Sequence, residues 1–296
     1  MGNDTENKKV YGLLGKKISY SLSPAMHNAA FKHFKIPAEY KLFDIEEKDL
    51  ESFFKDTVFA GKVSGINVTV PYKIRVKELL ERRKDSSIDK VAKVLGAINT
   101  VKIGSSVIEA FNTDGAGFYE SLLEDAGFNP RGKDIFIIGS GGAGRAISLY
   151  LAMLGKNRPK SINVYDVDDA KLEALKKVFE DNFTEEILFE VDPDDLPEKF
   201  ANCDLVVNAT PLGINMEDPL PIAENYLREG MVLYDLVYAK ETRLVDIARR
   251  KGLVAVGGVG MLVNQGALAF NIWTECSLKD TRKVMRLAIK KELGRI

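Results

Sequence analysis

Four polar side chains lie where the sequence passes from one predicted element to the next, and each could take part in chemistry. Lys73 follows the apolar run Ile66-Asn-Val-Thr-Val. An amine just past the carboxyl end of a parallel strand faces the crevice in which α/β proteins bind ligands. Asp114 stands at the start of a predicted helix, and Ser21 and Ser23 precede another, where two hydroxyls could hold a carboxylate. Taken singly, Lys73 also fits a surface helix, and Asp114 and Ser23 also fit helix N-caps.

A glycine-rich turn predicts a nucleotide site. The apolar run Ile135 to Ile138 leads into Gly139-Ser-Gly-Gly-Ala-Gly144, and a helical pattern continues to about Leu154. A strand before and a helix after are the context in which G-x-G-x-x-G indicates dinucleotide binding. The first glycine permits the tight turn, the second lets the backbone approach a pyrophosphate, and the third allows close packing of helix on strand. Free N–H groups at the start of the helix then attract the phosphates.

The elements that must position these residues alternate between strands and helices, which indicates an α/β fold with mostly parallel sheets. We predict an N-terminal α/β substrate domain over residues 1–113, completed by C-terminal helices over 259–296. Between these segments, residues 114–258 are predicted to form a Rossmann-type doubly wound dinucleotide domain. Within the first domain, Ala97 to Ile103 and Ser106 to Phe111 are predicted to pair as a hairpin around Gly104.

The composition narrows the class of protein. The chain has 296 residues, of which 45% are hydrophobic and 29% charged, as is typical of a soluble globular protein. A net charge of −1 gives no electrostatic reason to expect a nucleic acid or membrane partner. The N-terminus is polar and no run of 18 residues is apolar throughout, so we expect a cytoplasmic protein. Cys203 and Cys276 are expected to be thiols, and neither they nor the two histidines have the spacing of a metal site.

Seven segments, in order, resemble the shikimate dehydrogenase family over nearly the whole chain. They are Ser21-Leu-Ser-Pro-Ala-Met-His-Asn, Asn67-Val-Thr-Val-Pro-Tyr-Lys, Gly96-Ala-Ile-Asn-Thr-Val, Asn112-Thr-Asp-Gly-Ala-Gly-Phe, Gly139-Ser-Gly-Gly-Ala-Gly-Arg-Ala, Asn208-Ala-Thr-Pro-Leu-Gly and Gly260-Met-Leu-Val-Asn-Gln-Gly-Ala. The resemblance implies a nicotinamide-dependent oxidoreductase that interconverts shikimate and 3-dehydroshikimate, in the route to chorismate and the aromatic amino acids.

The same resemblance implies a role for each candidate residue. Lys73 and Asp114 would be the catalytic pair that flanks the hydroxyl being oxidised, and Ser21 and Ser23 would hold the substrate carboxylate. The carboxylate or the ring hydroxyls would also be bound by Thr69, Asn99, Tyr238 and Gln265. The cofactor would be bound by Gly139, Ser140, Gly141, Gly142, Ala143, Asp166, Leu236 and Gly258. Loss of hydride from a carbinol carbon requires a basic group within hydrogen-bond reach of the oxygen, and we leave the division of that task between Lys73 and Asp114 open.

The choice between NAD and NADP is predicted from Asp166, which lies 22 residues after Gly144. An acid about 20 residues beyond the glycine motif accepts hydrogen bonds from the ribose 2′-hydroxyl and repels a 2′-phosphate. Asp168 and Asp169 would add to that repulsion. We therefore predict a preference for NAD, with NADP as the second option.

Three further questions stay open at this stage. Ser23 suits shikimate, but NAD-dependent relatives of this kind include enzymes of quinate catabolism, so quinate is an alternative substrate. A dinucleotide-binding module without turnover is a second alternative, since a fold does not by itself imply a function; the presence of both Lys73 and Asp114 disfavours it. The protein is expected to be a monomer or a homodimer.

Overall fold

The chain divides into two units, one built from both ends of the sequence and one from its middle. The computed structural model describes residues 8–238 and 240–294. The first unit runs to Thr113 and resumes at Gln265, and the second comprises Asp114–Asn264.

The first unit contains a mixed six-stranded sheet in the order β2-β1-β3-β5-β6-β4. Its strands are β1 (Lys9–Gly15), β2 (Ala38–Asp44), β3 (Gly65–Val68), β4 (Ser86–Ile88), β5 (Thr100–Ile103) and β6 (Ile108–Phe111). The helices among them are α1 (Ser23–His33), α2 (Leu50–Phe53), α3 (Lys73–Glu81) and α4 (Lys90–Leu95). Strands β1, β2 and β3 run parallel, and their side chains pack with α3 into a core that includes Leu14, Ile66 and Val76.

The predicted hairpin is confirmed as the antiparallel pair β5 and β6, in which Thr100 faces Phe111. So short a connection can join only antiparallel neighbours, and β3 also pairs with β5 in the antiparallel sense. Strand β4 pairs with β6 in parallel, so β5 runs against the other strands of a sheet that is otherwise parallel, as the sequence predicts. Strand β4 and helix α4 are only three and six residues long, and the sequence pattern did not predict them.

The start of α1 differs from the sequence-based expectation. Ser23 is the first residue of the helix rather than its cap, because Leu22 occupies the cap position and no side chain caps the helix. Pro24 is then the second helical residue, where its missing N–H costs no intrahelical bond. The Ser23 hydroxyl is therefore not used for capping.

The second unit contains a six-stranded sheet that is parallel throughout, in the order β12-β11-β10-β7-β8-β9. Its strands are β7 (Asp134–Ile138), β8 (Ser161–Tyr165), β9 (Leu188–Glu190), β10 (Leu205–Asn208), β11 (Val232–Asp235) and β12 (Val254–Gly257). Its helices are α5 (Asp114–Asp125), α6 (Gly142–Ala152), α7 (Asp169–Asn182), α8 (Leu196–Asn202) and α9 (Arg243–Arg250). This is the strand order of a dinucleotide-binding doubly wound fold, in which ligands bind where the order reverses, here between β7 and β10.

Two helices complete the described chain, α10 (Val259–Thr274) and α11 (Leu278–Glu292). The division between the units falls within α10, after Asn264. Across the residues that the structure describes, no helix combines the length and the apolar character needed to cross a bilayer.

Candidate active site

Ser21 lies in the connection between β1 and α1, and Ser23 is the first residue of α1. The Ser21 hydroxyl oxygen accepts a hydrogen bond from the backbone N–H of Ser23 at 3.2 Å. Ser23 is buried, whereas Ser21 is only partly so. The bond holds the two hydroxyl-bearing residues in one turn, as a shared carboxylate site would require.

Lys73 is the first residue of α3, and Thr69 directly follows β3. The Thr69 backbone N–H donates to the Leu14 carbonyl at 2.9 Å, and β1 pairs with β3 in parallel. The carbonyl of Lys73 accepts from the backbone N–H of Ile98 at 3.0 Å, which ties the start of α3 to the segment before Asn99. The serine turn and the segment from Thr69 to Lys73 therefore leave the carboxyl ends of neighbouring strands, on one edge of the sheet.

A buried polar network surrounds Asn99 within the same unit. Its side-chain oxygen accepts from the backbone N–H of Thr113 at 2.9 Å and from the Thr100 hydroxyl at 2.9 Å. The Asn99 amide nitrogen in turn donates to the Thr113 hydroxyl at 3.0 Å, and that hydroxyl donates to the carbonyl of Gln265 at 3.1 Å. Because a backbone N–H can only donate and a carbonyl can only accept, the orientation of the Asn99 amide is fixed.

Asn67 and Tyr40 extend this network, and neither was predicted as a site residue from the sequence. The Asn67 amide nitrogen donates to the Asn99 carbonyl at 3.2 Å, so its oxygen faces Tyr40, whose hydroxyl donates to it at 2.8 Å. Burial raises the pKa of Tyr40 well above its ordinary value, and a hydrogen bond with the Ser23 side chain acts in the opposite direction. The available signal was an asparagine inside an otherwise apolar strand, because a buried amide needs partners.

Behind Tyr40 lies His27, with the two rings stacked at 4.3 Å between centroids and 4° between planes. His27 is fully buried, and within the described chain neither ring nitrogen has a hydrogen-bond partner. Burial lowers the pKa of His27 to about 3. The His27 ring is therefore neutral at ordinary pH, and its flat face packs against the ring of Tyr40.

Asp114 is the first residue of α5 in the second unit and is 8% exposed. The residue after it, Gly115, allows α5 to lie close against α6, since a Cβ there would be 2.3 Å from that of Tyr150. Close helix packing thus fixes the point from which the Asp114 side chain projects. Lys73 and Asp114 belong to different units, and their pairing over a substrate stays a prediction.

The glycine turn between β7 and α6 has the geometry of a phosphate cradle. Gly139 has φ +98°, a conformation that residues with side chains rarely adopt. Gly141 occupies the cap position of α6 without a side-chain cap, and a Cβ on Gly141 or Gly142 would meet nothing within 4 Å. A Cβ on Gly144 would lie 1.9 Å from the Gly139 carbonyl oxygen. Uncapped N–H groups next to open space fit a dinucleotide pyrophosphate.

Ser140 and Asp166 close the other side of this turn. The Ser140 backbone N–H and hydroxyl both donate to one Asp166 oxygen, at 2.7 and 2.9 Å, and the Asp168 N–H donates to the other at 3.0 Å. Burial on its own would raise the pKa of Asp166, but these hydrogen bonds bring it below its ordinary value. The carboxylate is therefore ionised and holds the turn against the end of β8.

Tyr238 and Leu236 lie in the loop that follows β11, and the buried Asp235 organises that loop. The Asp235 carboxylate accepts from the Asn208 amide at 3.0 Å, the Val237 N–H at 3.0 Å and the Thr242 hydroxyl at 2.7 Å. Burial raises the pKa of Asp235 despite these bonds.

Gly258 lies against the start of the same loop, since a Cβ there would be 2.1 Å from the Leu236 carbonyl oxygen. Tyr238 is partly exposed, as are Ala143 in the glycine turn and Gln265 in α10. No group of side chains suited to holding a metal ion occurs among the described residues.

Comparison with known proteins identifies the relatives of this chain. A family model described as the shikimate dehydrogenase substrate binding domain matches residues 13–101, and one described as the shikimate 5′-dehydrogenase C-terminal domain matches residues 258–287. A shikimate dehydrogenase (NADP(+)) of Methanopyrus kandleri is 39% identical over 288 residues, covering 96% of each chain. The enzyme of the same name from Methanocaldococcus jannaschii is 37% identical over 285 residues, covering 95% of this chain and 96% of its own.

Solved structures agree with this assignment. The crystal structure of shikimate dehydrogenase from Aquifex aeolicus superposes with a TM-score of 0.84 at 31% identity, covering 98% of this chain and 100% of the other. The relatives from Methanopyrus kandleri, Methanocaldococcus jannaschii and Bacillus subtilis, at 36–39% identity, are named for shikimate, so the quinate alternative is not favoured.

The predicted preference for NAD is wrong. The curated relatives are named as NADP(+) enzymes, which contradicts it. In the structure both Asp166 oxygens accept hydrogen bonds from the protein itself, so the acid has a structural role that its spacing from the glycine motif did not reveal. Asp168 likewise caps α7 and pairs with Lys171 at 2.8 Å, so its charge is partly balanced. Asp166 and Asp168 therefore have structural roles, whereas the spacing of Asp166 from the glycine motif had indicated a contact with the ribose.

Because relatives that are 39% and 37% identical match it over nearly their whole length, this chain belongs to the shikimate dehydrogenase family.

Proposed function

We propose that this protein catalyses the reversible, NADP-linked interconversion of shikimate and 3-dehydroshikimate. The observation that carries the proposal is the position of the serine turn and of Lys73 at the carboxyl ends of the neighbouring strands β1 and β3. If the serine turn binds the carboxylate of an anionic ring substrate, the Lys73 amine lies at the same edge of the sheet as that substrate.

The polar groups of the first unit divide into binding and proton-handling roles. Ser21 and Ser23 hold the substrate carboxylate through their hydroxyls, and Thr69, Asn99 and Gln265 bind the carboxylate or the ring hydroxyls. The Asn99 amide is fixed by its bonds to Thr113 and Thr100, so it needs no rearrangement to bind. Preorganised donors and acceptors of this kind place a substrate without a further ordering cost.

Lys73 and Asp114 act on the hydroxyl whose carbon is oxidised. In the reducing direction the Lys73 amine donates a proton to that oxygen. In the oxidising direction it receives the proton back, directly or together with Asp114. A positioned acid–base group of this kind contributes about 10²- to 10⁴-fold to a rate. Tyr238, from the loop that Asp235 anchors, completes the set of substrate-binding residues.

NADP, when bound, supplies or accepts the hydride. The residues that would hold its pyrophosphate are Gly139, Ser140, Gly141, Gly142 and Ala143, and Leu236 and Gly258 would line the nicotinamide side. On this proposal residues 114–258 form the dinucleotide domain, and residues 1–113 with 259–296 form the substrate domain. We place the reaction in the cytoplasm, as the sequence analysis predicts.

The test is a two-by-two assay of shikimate or quinate with NADP or NAD, together with a Lys73→Ala variant. We expect the highest kcat/KM with shikimate and NADP. Lys73→Ala should lose at least about 100-fold in turnover while the Kd for NADP stays the same. Lys77→Ala, on the same helix and paired with Glu81 at 2.7 Å, is the matched control and should keep its turnover. An unchanged rate in Lys73→Ala, or the absence of shikimate oxidation by the native protein, would overturn the proposal.

A further inference from the structure

Asp44, at the end of β2, holds the loop that leads from β1 to the serine turn. One of its carboxylate oxygens accepts from the backbone N–H of Lys17 at 2.8 Å, and the other accepts from the N–H of Ile18 at 3.2 Å. Hydrogen bonds from N–H groups to a carboxylate are among the stronger ones in proteins. A single side chain thus fixes two consecutive peptide units.

The conformation of this loop requires such a partner. Lys17 has φ +55°, in the left-handed region that side-chain-bearing residues occupy unfavourably. The next residue, Ile18, is buried, and its carbonyl accepts from the backbone N–H of Ser21 at 2.9 Å. The Ser21 hydroxyl then accepts from Ser23, as described above. Asp44 therefore influences the position of both serines through two hydrogen bonds, one between Ile18 and Ser21 and one between Ser21 and Ser23.

The same end of β2 also contacts the segment that carries Lys73. The buried Tyr72, directly before Lys73, donates its hydroxyl proton to the carbonyl of Ile45 at 2.7 Å. The Ile45 N–H donates to the Gly15 carbonyl at 3.1 Å, and the Lys16 N–H donates to the Val70 carbonyl at 3.3 Å. The three strand ends β1, β2 and β3 are thus connected around Asp44 and Ile45.

We propose that Asp44 is a positioning residue for the substrate carboxylate. It does not bind the substrate; it sets the loop so that Ser21 and Ser23 present their hydroxyls at a fixed distance from Lys73. This inference rests on the proposed function, because it takes the two serines as the carboxylate ligands.

Asp44→Asn is the informative variant because it keeps the shape of the side chain. An amide has one acceptor oxygen, so it can retain one backbone bond, while its NH₂ group would face the other N–H and lose that bond. We expect the KM for shikimate to rise about tenfold, in line with the loss of one such hydrogen bond. The value of kcat should stay within about twofold, and the Kd for NADP should not change. Asp49→Asn, which removes an exposed carboxylate from the same region, is the control and should match the native protein.

Two further measurements separate positioning from a general loss of structure. With the methyl ester of shikimate, which lacks the ionised carboxylate, Asp44→Asn and the native protein should have the same KM. In a Ser21→Ala background, Asp44→Asn should raise the KM by less than it does in the native protein, because residues that act through one another are not additive. The inference is overturned if Asp44→Asn leaves the KM for shikimate within twofold of the native value, if the ester shows the same rise, or if the two substitutions add fully. Absence of shikimate turnover in the native protein would instead reject the proposed function.

Discussion

Gly141 and Gly144 offer a paired test of how the glycine turn works, because the structure gives them different tasks. A Cβ on Gly141 would meet nothing within 4 Å, and its φ of −63° is open to any residue. A Cβ on Gly144 would lie 1.9 Å from the Gly139 carbonyl oxygen and 2.9 Å from the carbon. We therefore expect Gly141→Ala to impair cofactor binding and Gly144→Ala to impair folding.

The magnitudes follow from these distances. Ordinary contact begins at 3.4 Å, so alanine at position 144 falls about 1.5 Å short of it, and the obstacle is backbone that cannot rotate away. Overpacking of this kind costs about 1–3 kcal/mol, and alanine recovers about 1 kcal/mol of helix propensity at most. We expect a net loss of about 2 kcal/mol, since this clash belongs at the severe end of the range. At position 141, the loss of a favourable cap residue and the gain from a less flexible unfolded chain nearly cancel, leaving a change within about 0.5 kcal/mol.

The assay combines denaturant unfolding, followed by circular dichroism, with calorimetric titration of NADP. Gly141→Ala should unfold at nearly the native denaturant concentration but bind NADP about tenfold more weakly, because its methyl group fills the space next to the uncapped N–H groups. Gly144→Ala should unfold at a clearly lower concentration. Native affinity for NADP in Gly141→Ala would show that the pyrophosphate does not lie at this turn. Native stability in Gly144→Ala would refute the close-approach argument.

Three further outcomes are expected. The pKa of His27 is lowered to about 3 in the folded protein. Near pH 6.5 the unfolded chain therefore binds a proton on this ring, whereas the folded chain does not. Stability is then lost as the pH falls below about 6.5, by about 2 kcal/mol between pH 7 and pH 5, and His27→Phe should flatten that limb of a pH–stability curve whereas His33→Phe should not. Asp235→Ala should lower the unfolding free energy by about 3 kcal/mol, because it leaves three buried donors without the carboxylate acceptor. Asp235→Asn should retain most of the native unfolding free energy, since the Thr242 hydroxyl can accept a hydrogen bond instead of donating one. Equal losses in both variants would contradict this account. Burial raises the pKa of Cys203 to about 12, so iodoacetamide at pH 8 should leave that thiol unmodified in the folded protein, as mass spectrometry of its peptide would show.

The glycine motif and its flanking elements were predictable because their signals are local. The apolar run at 135–138 and the helical pattern after it correspond to β7 (Asp134–Ile138) and α6 (Gly142–Ala152). The hairpin around Gly104 was equally accessible, since its turn and both strands lie within 15 residues of sequence, 97–111. In each case the pattern of side chains and the turn residue indicate the same structure, so no distant partner is needed to choose between alternatives.

The buried network of the first unit was not predictable in the same way, because its partners are far apart in the sequence. Asn67 and Asn99 are 32 residues apart, and Tyr40 precedes Asn67 by 27. A sequence shows that each side chain is polar, but not which buried group accepts its proton. The alternative of a capping role for Ser23 is wrong for a related reason: the residue type fits a cap, but the backbone places Leu22 in that position.

Asp166 shows why residue type and spacing were insufficient for the cofactor. An aspartate at a strand end, 22 residues after the last glycine of the motif, is what a ribose-binding site requires. It is equally what a glycine turn requires when its own N–H groups need an acceptor, and here Ser140, 26 residues earlier, supplies two of the three bonds that Asp166 receives. The two roles compete for the same oxygens, since a carboxylate that is already bonded to the turn has fewer lone pairs for a ribose hydroxyl. In this chain the acid is engaged by the turn, and that engagement becomes visible only in three dimensions.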